Sequence, residues 1–269
     1  MERISVAAKA SVLAFVMGLL ATPCLAQSHP TAEVFGQLPG LSHPVLSPDG
    51  KHLAAVTSSN GRPVALIYDL AAPAGTAPAL FPYDQGFISS VVWANNSRLL
   101  ITVKSTAQAD GDTSLQPWFR TASVDVSGGT PVVLLNNVAS RGVNYDTSRI
   151  ADLDLDDVDH VYMPLWYSLQ GPLYSDTQGT GMYFDDLFQV DVNTGKGSKY
   201  MSGSGDPGEW VMDGHGHVVA RVTETKLPLT DHLFLNQNNS WKEIAAYDAS
   251  GDKGAGVVGL NADGTALIR

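Results

Sequence analysis

The sequence predicts an all-β chain built from repeated antiparallel sheets, and three observations carry that expectation. Twenty-six Gly and 15 Pro are spread along 269 residues rather than gathered in one linker, so they cut the apolar pattern into pieces of strand length. Those pieces, among them Val64-Ala65-Leu66-Ile67-Tyr68, Leu99-Leu100-Ile101-Thr102-Val103 and His217-Val218-Val219-Ala220-Arg221-Val222, are rich in β-branched residues and bounded by Gly, Asn, Asp or Pro. Two turn signatures then recur in a fixed order. With 44% apolar and 16% charged residues the chain has enough apolar side chains for a packed core.

Residues 1–26 read as a cleaved signal peptide. Arg3 and Lys9 supply positive charge, an apolar run extends from Ala10 to Leu20, and Cys24-Leu25-Ala26 offers a small-residue cleavage site. Pro23 is a poor fit to the residue expected before an acylated Cys24, so secretion to the periplasm or beyond is expected, starting at Gln27. The apolar run is short for a membrane span, and no later segment reaches 18 uncharged apolar residues.

From residue 41 onward the repeats set the architecture. A polar turn precedes a strand at Asp49-Gly50, Asn95-Asn96, Asp157 to Asp159, Asp213-Gly214 and Asp263-Gly264. The pattern apolar-Asp-apolar closes a strand at Tyr68-Asp69-Leu70, Val124-Asp125-Val126 and Val190-Asp191-Val192, with Gly75, Gly128-Gly129 or Gly195 following. The three closing Asp residues are 56 and 66 positions apart. Four-stranded units at this spacing predict a β-propeller, whose blades bury their faces only against neighbours. The expected limits are 41–83, 87–137, 141–203 and 206–249, with a fifth blade opening near Gly254. An antiparallel sandwich would explain the turns but not two signatures in one order. Trp93 and Trp118 are expected as buried fillers between sheets. The last residues, Asn261 to Arg269, restate Ser47 to Val56 and stop on a strand; a portion of a longer protein with an incomplete propeller is therefore expected.

Charge and cysteine content exclude several function classes. The chain carries 16 Lys+Arg against 27 Asp+Glu, a formal charge of −11, and loss of a leader bearing Glu2, Arg3 and Lys9 takes it to −12. No basic cluster offers a local exception, so nucleic acid is not an expected partner. The single Cys leaves with the leader, which removes disulfides and thiolate metal sites.

Each candidate site also has a plainer reading. Asp152, Asp154, Asp156, Asp157 and Asp159 form the densest acidic run. A calcium loop counted from Asp152 would want Gly at its sixth place and Glu at its twelfth, where Asp157 and Met163 stand, so a solvated loop is expected. His215 and His217 could begin a metal site on a strand, but no third ligand is identifiable and a turn is expected. His160 and His232 precede strands without a nucleophile partner. The insert between Trp166 and Asp185 interleaves Tyr167, Tyr174 and Tyr183 with Gly171, Pro172, Gly179 and Gly181. It reads either as a loop reaching a substrate entrance or neighbouring domain, or as a poorly ordered excursion. No catalytic, cofactor-binding or metal-binding residue is assigned, and no cofactor is expected.

The run Phe35-Gly36-Gln37-Leu38-Pro39, then Val45-Leu46-Ser47-Pro48-Asp49-Gly50-Lys51-His52-Leu53-Ala54, then Val92-Trp93 with Arg98-Leu99-Leu100, resembles the opening of exported bacterial peptidases of the prolyl oligopeptidase family. Asp156-Asp157-Val158-Asp159-His160-Val161 is similar to that group as well. The resemblance implies an N-terminal propeller over a C-terminal α/β-hydrolase domain bearing a Ser-Asp-His triad. The propeller would gate access of short peptides to that domain. No serine here has Gly at both −2 and +2, so the nucleophile elbow is missing from this chain. Ser202-Gly203-Ser204-Gly205 comes nearest and reads as a flexible connection. Ser-Pro-Asp-Gly is shared with TolB-like propellers, so the alternative is a non-enzymatic periplasmic binding module.

Overall fold

A computed structural model describes residues 40–83, 86–108, 114–138, 144–168, 183–203, 205–250, 254, 256–257, 259–262, 264 and 266–268. They belong to one compact unit, Pro39–Arg269. The expected signal peptide, Ser204 and residues 169–182 of the insert lie outside the described residues.

The described residues contain no helix. The first sheet runs β1 (Ser42–Leu46), β2 (His52–Ser59), β3 (Arg62–Asp69), β4 (Ala79–Pro82) in sequence order. The second continues with β5 (Gly86–Trp93), β6 (Arg98–Gln108), β7 (Leu115–Asp125) and β8 (Val132–Val133), while β9 (Asp146–Thr147) pairs in parallel with β7. The third comprises β10 (His160–Ser168), β11 (Tyr183–Asp191) and β12 (Gly197–Met201). The fourth comprises β13 (Gly208–Met212), β14 (Val218–Lys226), β15 (Leu229–Gln237) and β16 (Ser240–Asp248), and β17 (Gly259–Leu260) pairs with β18 (Leu267–Ile268). Among the described residues every pairing apart from that of β9 is antiparallel, and no sheet closes on itself. Among the described residues the third sheet has three strands, where the repeats predict four. The place of a fourth is taken by a single bridge, Asp152 to Tyr162, because the Asp152 carboxylate turns the chain away by accepting the Asp154 N–H at 2.7 Å.

Turn chemistry accounts for the meander. Asn60 and Gly61 hold φ of 53° and 75° between β2 and β3, the left-handed pair that a two-residue hairpin requires. The closing Asp residues each accept an N–H two residues on: Asp69 from Ala71, Asp125 from Ser127, Asp191 from Asn193. Asp248 does the same for Ser250 at the end of β16. Asp49 is held at a pKa of about 2, chiefly by the Ser47 hydroxyl and then by the Lys51 N–H.

Side-chain alternation stacks these sheets in series. Leu99 and Leu100, adjacent on β6 and both fully buried, point to opposite faces. Leu99 joins Ala54, Val56, Ala65, Ile67, Phe81 and Trp93 between the first and second sheets. Leu100 joins Val161, Met163, Leu165, Phe188 and Val190 between the second and third. Tyr162 and Leu187 then meet Trp210 and Met212 of the fourth sheet, whose other face sends Val211, Val222 and Leu233 toward Val257 and Leu267. Each fully buried Leu contributes roughly 1.5–3 kcal/mol.

Trp93 is buried as expected, its indole N–H donating to the Val45 carbonyl at 3.1 Å. Trp118 is not a filler between sheets. It is partly exposed, 5.1 Å from the Tyr145 ring and beneath the Arg120 guanidinium, because the long β6–β7 hairpin carries it past the apolar cluster. Trp210, by contrast, is buried between the third and fourth sheets.

Candidate binding site on the fourth sheet

Alternation along β14 places Arg221, Thr223 and Thr225 on one face. The register aligns Arg221 with Phe234, Thr223 with His232, and Phe234 with Glu243. These side chains, with Trp241 and Asp206, line a pocket of about 400 Å³. Thr225 Oγ1 lies 3.3 Å from His232 Nε2, and His232 Nδ1 lies 3.0 Å from Glu243 Oε1. His232 therefore sits in a pocket wall, on β15 rather than before a strand.

Beneath the pocket lies a buried charge network. The Arg221 guanidinium rests over the Trp210 ring at 4.8 Å and stands 3.8 Å from the Asp185 carboxylate. Arg149 stands 3.9 Å from the same carboxylate and donates to the Gly208 carbonyl at 2.6 Å. Asp185 is fully buried, and the two arginines stand at ion-pair distance from its carboxylate rather than in hydrogen bonds to it. Burial pushes its pKa up, and the two arginines only partly offset that. Asp186, the next residue, points to the other face. Burial would raise its pKa too, but donation from Lys199, the Gly203 N–H and the Tyr167 hydroxyl together hold it lowered. Burial also lowers the pKa of Arg221, against the pull of Asp185. Two neighbouring carboxylates are thus driven in opposite directions by opposite faces of one strand.

The acidic run is a solvated loop only in its second half: Asp156 and Asp159 are exposed, whereas Asp152 and Asp154 are each 5% exposed, and the carboxylates are occupied by the chain itself. Asp152 accepts the Gly214 N–H at 2.9 Å, Asp154 accepts from Asp157, and Asp159 accepts from the Asn193 amide. Asp156 holds His215 at 3.0 Å and Asp157 holds His160 at 2.8 Å. His217 pairs instead with Asp213, whose carboxylate also accepts the His215 and His217 N–H groups, so the two imidazoles have separate partners on a turn. Among the described residues no three His, Cys, Asp or Glu side chains converge as a metal centre would need. Tyr167 belongs to β10, 4% exposed, rather than to the insert.

Sequence reasoning missed Asp185, Asp186, Arg149 and Arg221. The available signal was an Asp pair inside the strand pattern Phe184-Asp185-Asp186-Leu187-Phe188, since Asp is disfavoured in strands unless partners are built for it.

A second cavity, of about 610 Å³, is lined by Val92 of β5, Ile150 to Leu153, Met212 and Asp213 at the end of β13, and Leu260 and Asn261 at β17. Each of four successive sheets contributes the segment with which its meander begins.

No family model and no curated protein matches the sequence. Among solved structures the chain is similar to the AtxE2 isopeptidase in its apo form, at 13% identity and a TM-score of 0.27, over 80% of this chain. The chain spans 42% of that protein's length.

Proposed function

We propose that this chain is the β-propeller portion of an exported peptidase of the prolyl oligopeptidase type, gating short peptides toward an α/β-hydrolase domain. The observation that carries the reading is the cavity lined by Val92, Ile150 to Leu153, Met212 and Leu260. The sheets stack in series, and the second, third and fourth sheets and the β17–β18 pair each offer their first segment to one shared cavity, as a radial arrangement of blades produces. The peptidase assignment rests on the sequence resemblance. In it, acyl transfer to a serine and then to water belongs to the hydrolase domain, without metal or organic cofactor. The signal-peptide reading supplies the export.

Sequencing the coding region past Arg269 tests the proposal. A Gly-x-Ser-x-Gly elbow, and cleavage of Ala-Pro chromogenic peptides by the encoded product, are expected. A stop codon at that point would remove the peptidase reading. The formed pocket on the fourth sheet favours a second reading, a non-enzymatic binding module, for which that stop codon is the expected result.

A further inference from the structure

The pocket on the fourth sheet goes beyond gating, because its chemistry is complete within this chain. Three rings, His232, Phe234 and Trp241, line it while remaining only partly buried, although aromatic side chains at this depth of a sheet ordinarily pack away. His232 and Phe234 are stacked at 28°, and Trp241 meets Trp210 edge-on at 6.0 Å. Thr223 and Thr225 add methyl and hydroxyl groups. Of the charged groups, Arg221 is withdrawn: its side chain is 6% exposed, lies over Trp210 and faces the buried Asp185. Glu243, with a side chain 47% exposed, and the exposed Asp206 stand in the lining, so the charge offered to solvent is negative.

Aromatic faces beside a carboxylate attract organic cations, through the ring quadrupole and through charge, while the apolar lining accommodates a hydrocarbon stem. An anion would meet Glu243 and Asp206 before it met the recessed guanidinium. We infer that this pocket binds an ammonium or guanidinium group on a short apolar stem, as carried by a Lys or Arg side chain of a peptide or by a free alkylamine. The volume of about 400 Å³ accommodates one such side chain with its flanking backbone.

Isothermal titration of the full chain with N-acetyl-lysine methylamide, its norleucine analogue, N-acetyl-glutamate methylamide and n-butylamine tests the inference. The lysine compound is expected to bind about tenfold more tightly than the norleucine compound, and the glutamate compound more weakly still. Binding of n-butylamine as tight as that of the lysine compound would identify the amine itself as the ligand; weaker binding would assign part of the recognition to the peptide backbone. Glu243→Gln keeps the hydrogen-bonding shape beside His232 and removes the charge, and is expected to weaken lysine binding several-fold while leaving the thermal midpoint nearly unchanged. Equal binding of lysine and norleucine compounds, preference for glutamate, or an unchanged lysine affinity in Glu243→Gln would each overturn the assignment. Trp241→Leu provides a second variant. It should lower affinity for the cation, and retention of full affinity would contradict the role given to the ring.

Discussion

Asn137 pairs with Gly197 through both ends of its side-chain amide, accepting the Gly197 N–H at 2.8 Å and donating to the Gly197 carbonyl at 3.0 Å. The amide thereby plays the part of one residue of an added strand, joining the segment after β8 to β12 of the next sheet. One residue earlier, Asn136 donates to the Thr194 carbonyl at 2.9 Å, so the second and third sheets are clipped at one point of the chain.

That clip should be measurable. Asn137→Ala removes both bonds from an exposed side chain and is expected to cost about 1 kcal/mol. Gly195→Ala should cost more. Gly195 holds φ of 72°, and an added Cβ would stand 2.1 Å from the Val133 carbonyl oxygen. Urea denaturation of the two variants checks the order; an Ala at 195 that is better tolerated than an Ala at 137 would contradict it.

Arg221→Met is expected to destabilise the chain by about 2–4 kcal/mol, because it leaves the buried Asp185 with Arg149 as its remaining cation and uncovers the Trp210 ring. Arg221→Lys should recover only part of that, since a point charge on a flexible stem cannot both stack on an indole and face a carboxylate. Thermal unfolding of the three proteins is the measurement, and a lysine variant as stable as the parent would argue against the stacking contribution.

The two neighbouring carboxylates should give pH dependences of opposite sign. Asp186 has a lowered folded pKa, so its contribution is present above the ordinary carboxylate value and is lost as pH falls through the folded value. Asp185 has a raised folded pKa, so its contribution is greatest in acid and is lost as pH rises through the folded value. Denaturation midpoints between pH 3 and 7 should therefore show the deficit of Asp186→Asn shrinking toward acid. Asp185→Asn should compare least favourably with the parent at the acid end. Parallel curves for both variants would refute the split.

The chain alone is expected to leave Ala-Pro and Gly-Pro chromogenic peptides intact and to resist fluorophosphonate labelling, because no serine in it stands in a Gly-x-Ser-x-Gly elbow. Stoichiometric labelling of one serine would show a nucleophile built some other way.

The all-β class was legible because it follows from local rules: strand-length apolar runs, polar turns such as Asp49-Gly50 ahead of a strand, and Asp residues that close one. The pocket was not. Arg221, Phe234 and Glu243 come together only through cross-strand register, which a β-bulge shifts at Leu233/Phe234. Trp118 was misplaced for a related reason: an aromatic in a strand signals burial, yet β6 and β7 extend beyond the neighbouring sheet's cover. Asp152 and Asp154 looked like surface charge because a sequence does not show that the turn at Asp213 to His217 comes back to cover them.

The serial arrangement of the four apolar clusters also bears on the order in which a chain emerging N-terminus first can fold. The cluster built on Leu99 draws on Val45 to Val126, the next on Val92 to Val192, the third on Ala151 to Trp241, and the last on Val211 to Leu267. Once Val126 has emerged, every side chain of the first cluster is available, and each later cluster completes against a sheet already synthesised. Assembly can therefore proceed from the N-terminal end one sheet at a time, with only the most recent apolar face awaiting its cover.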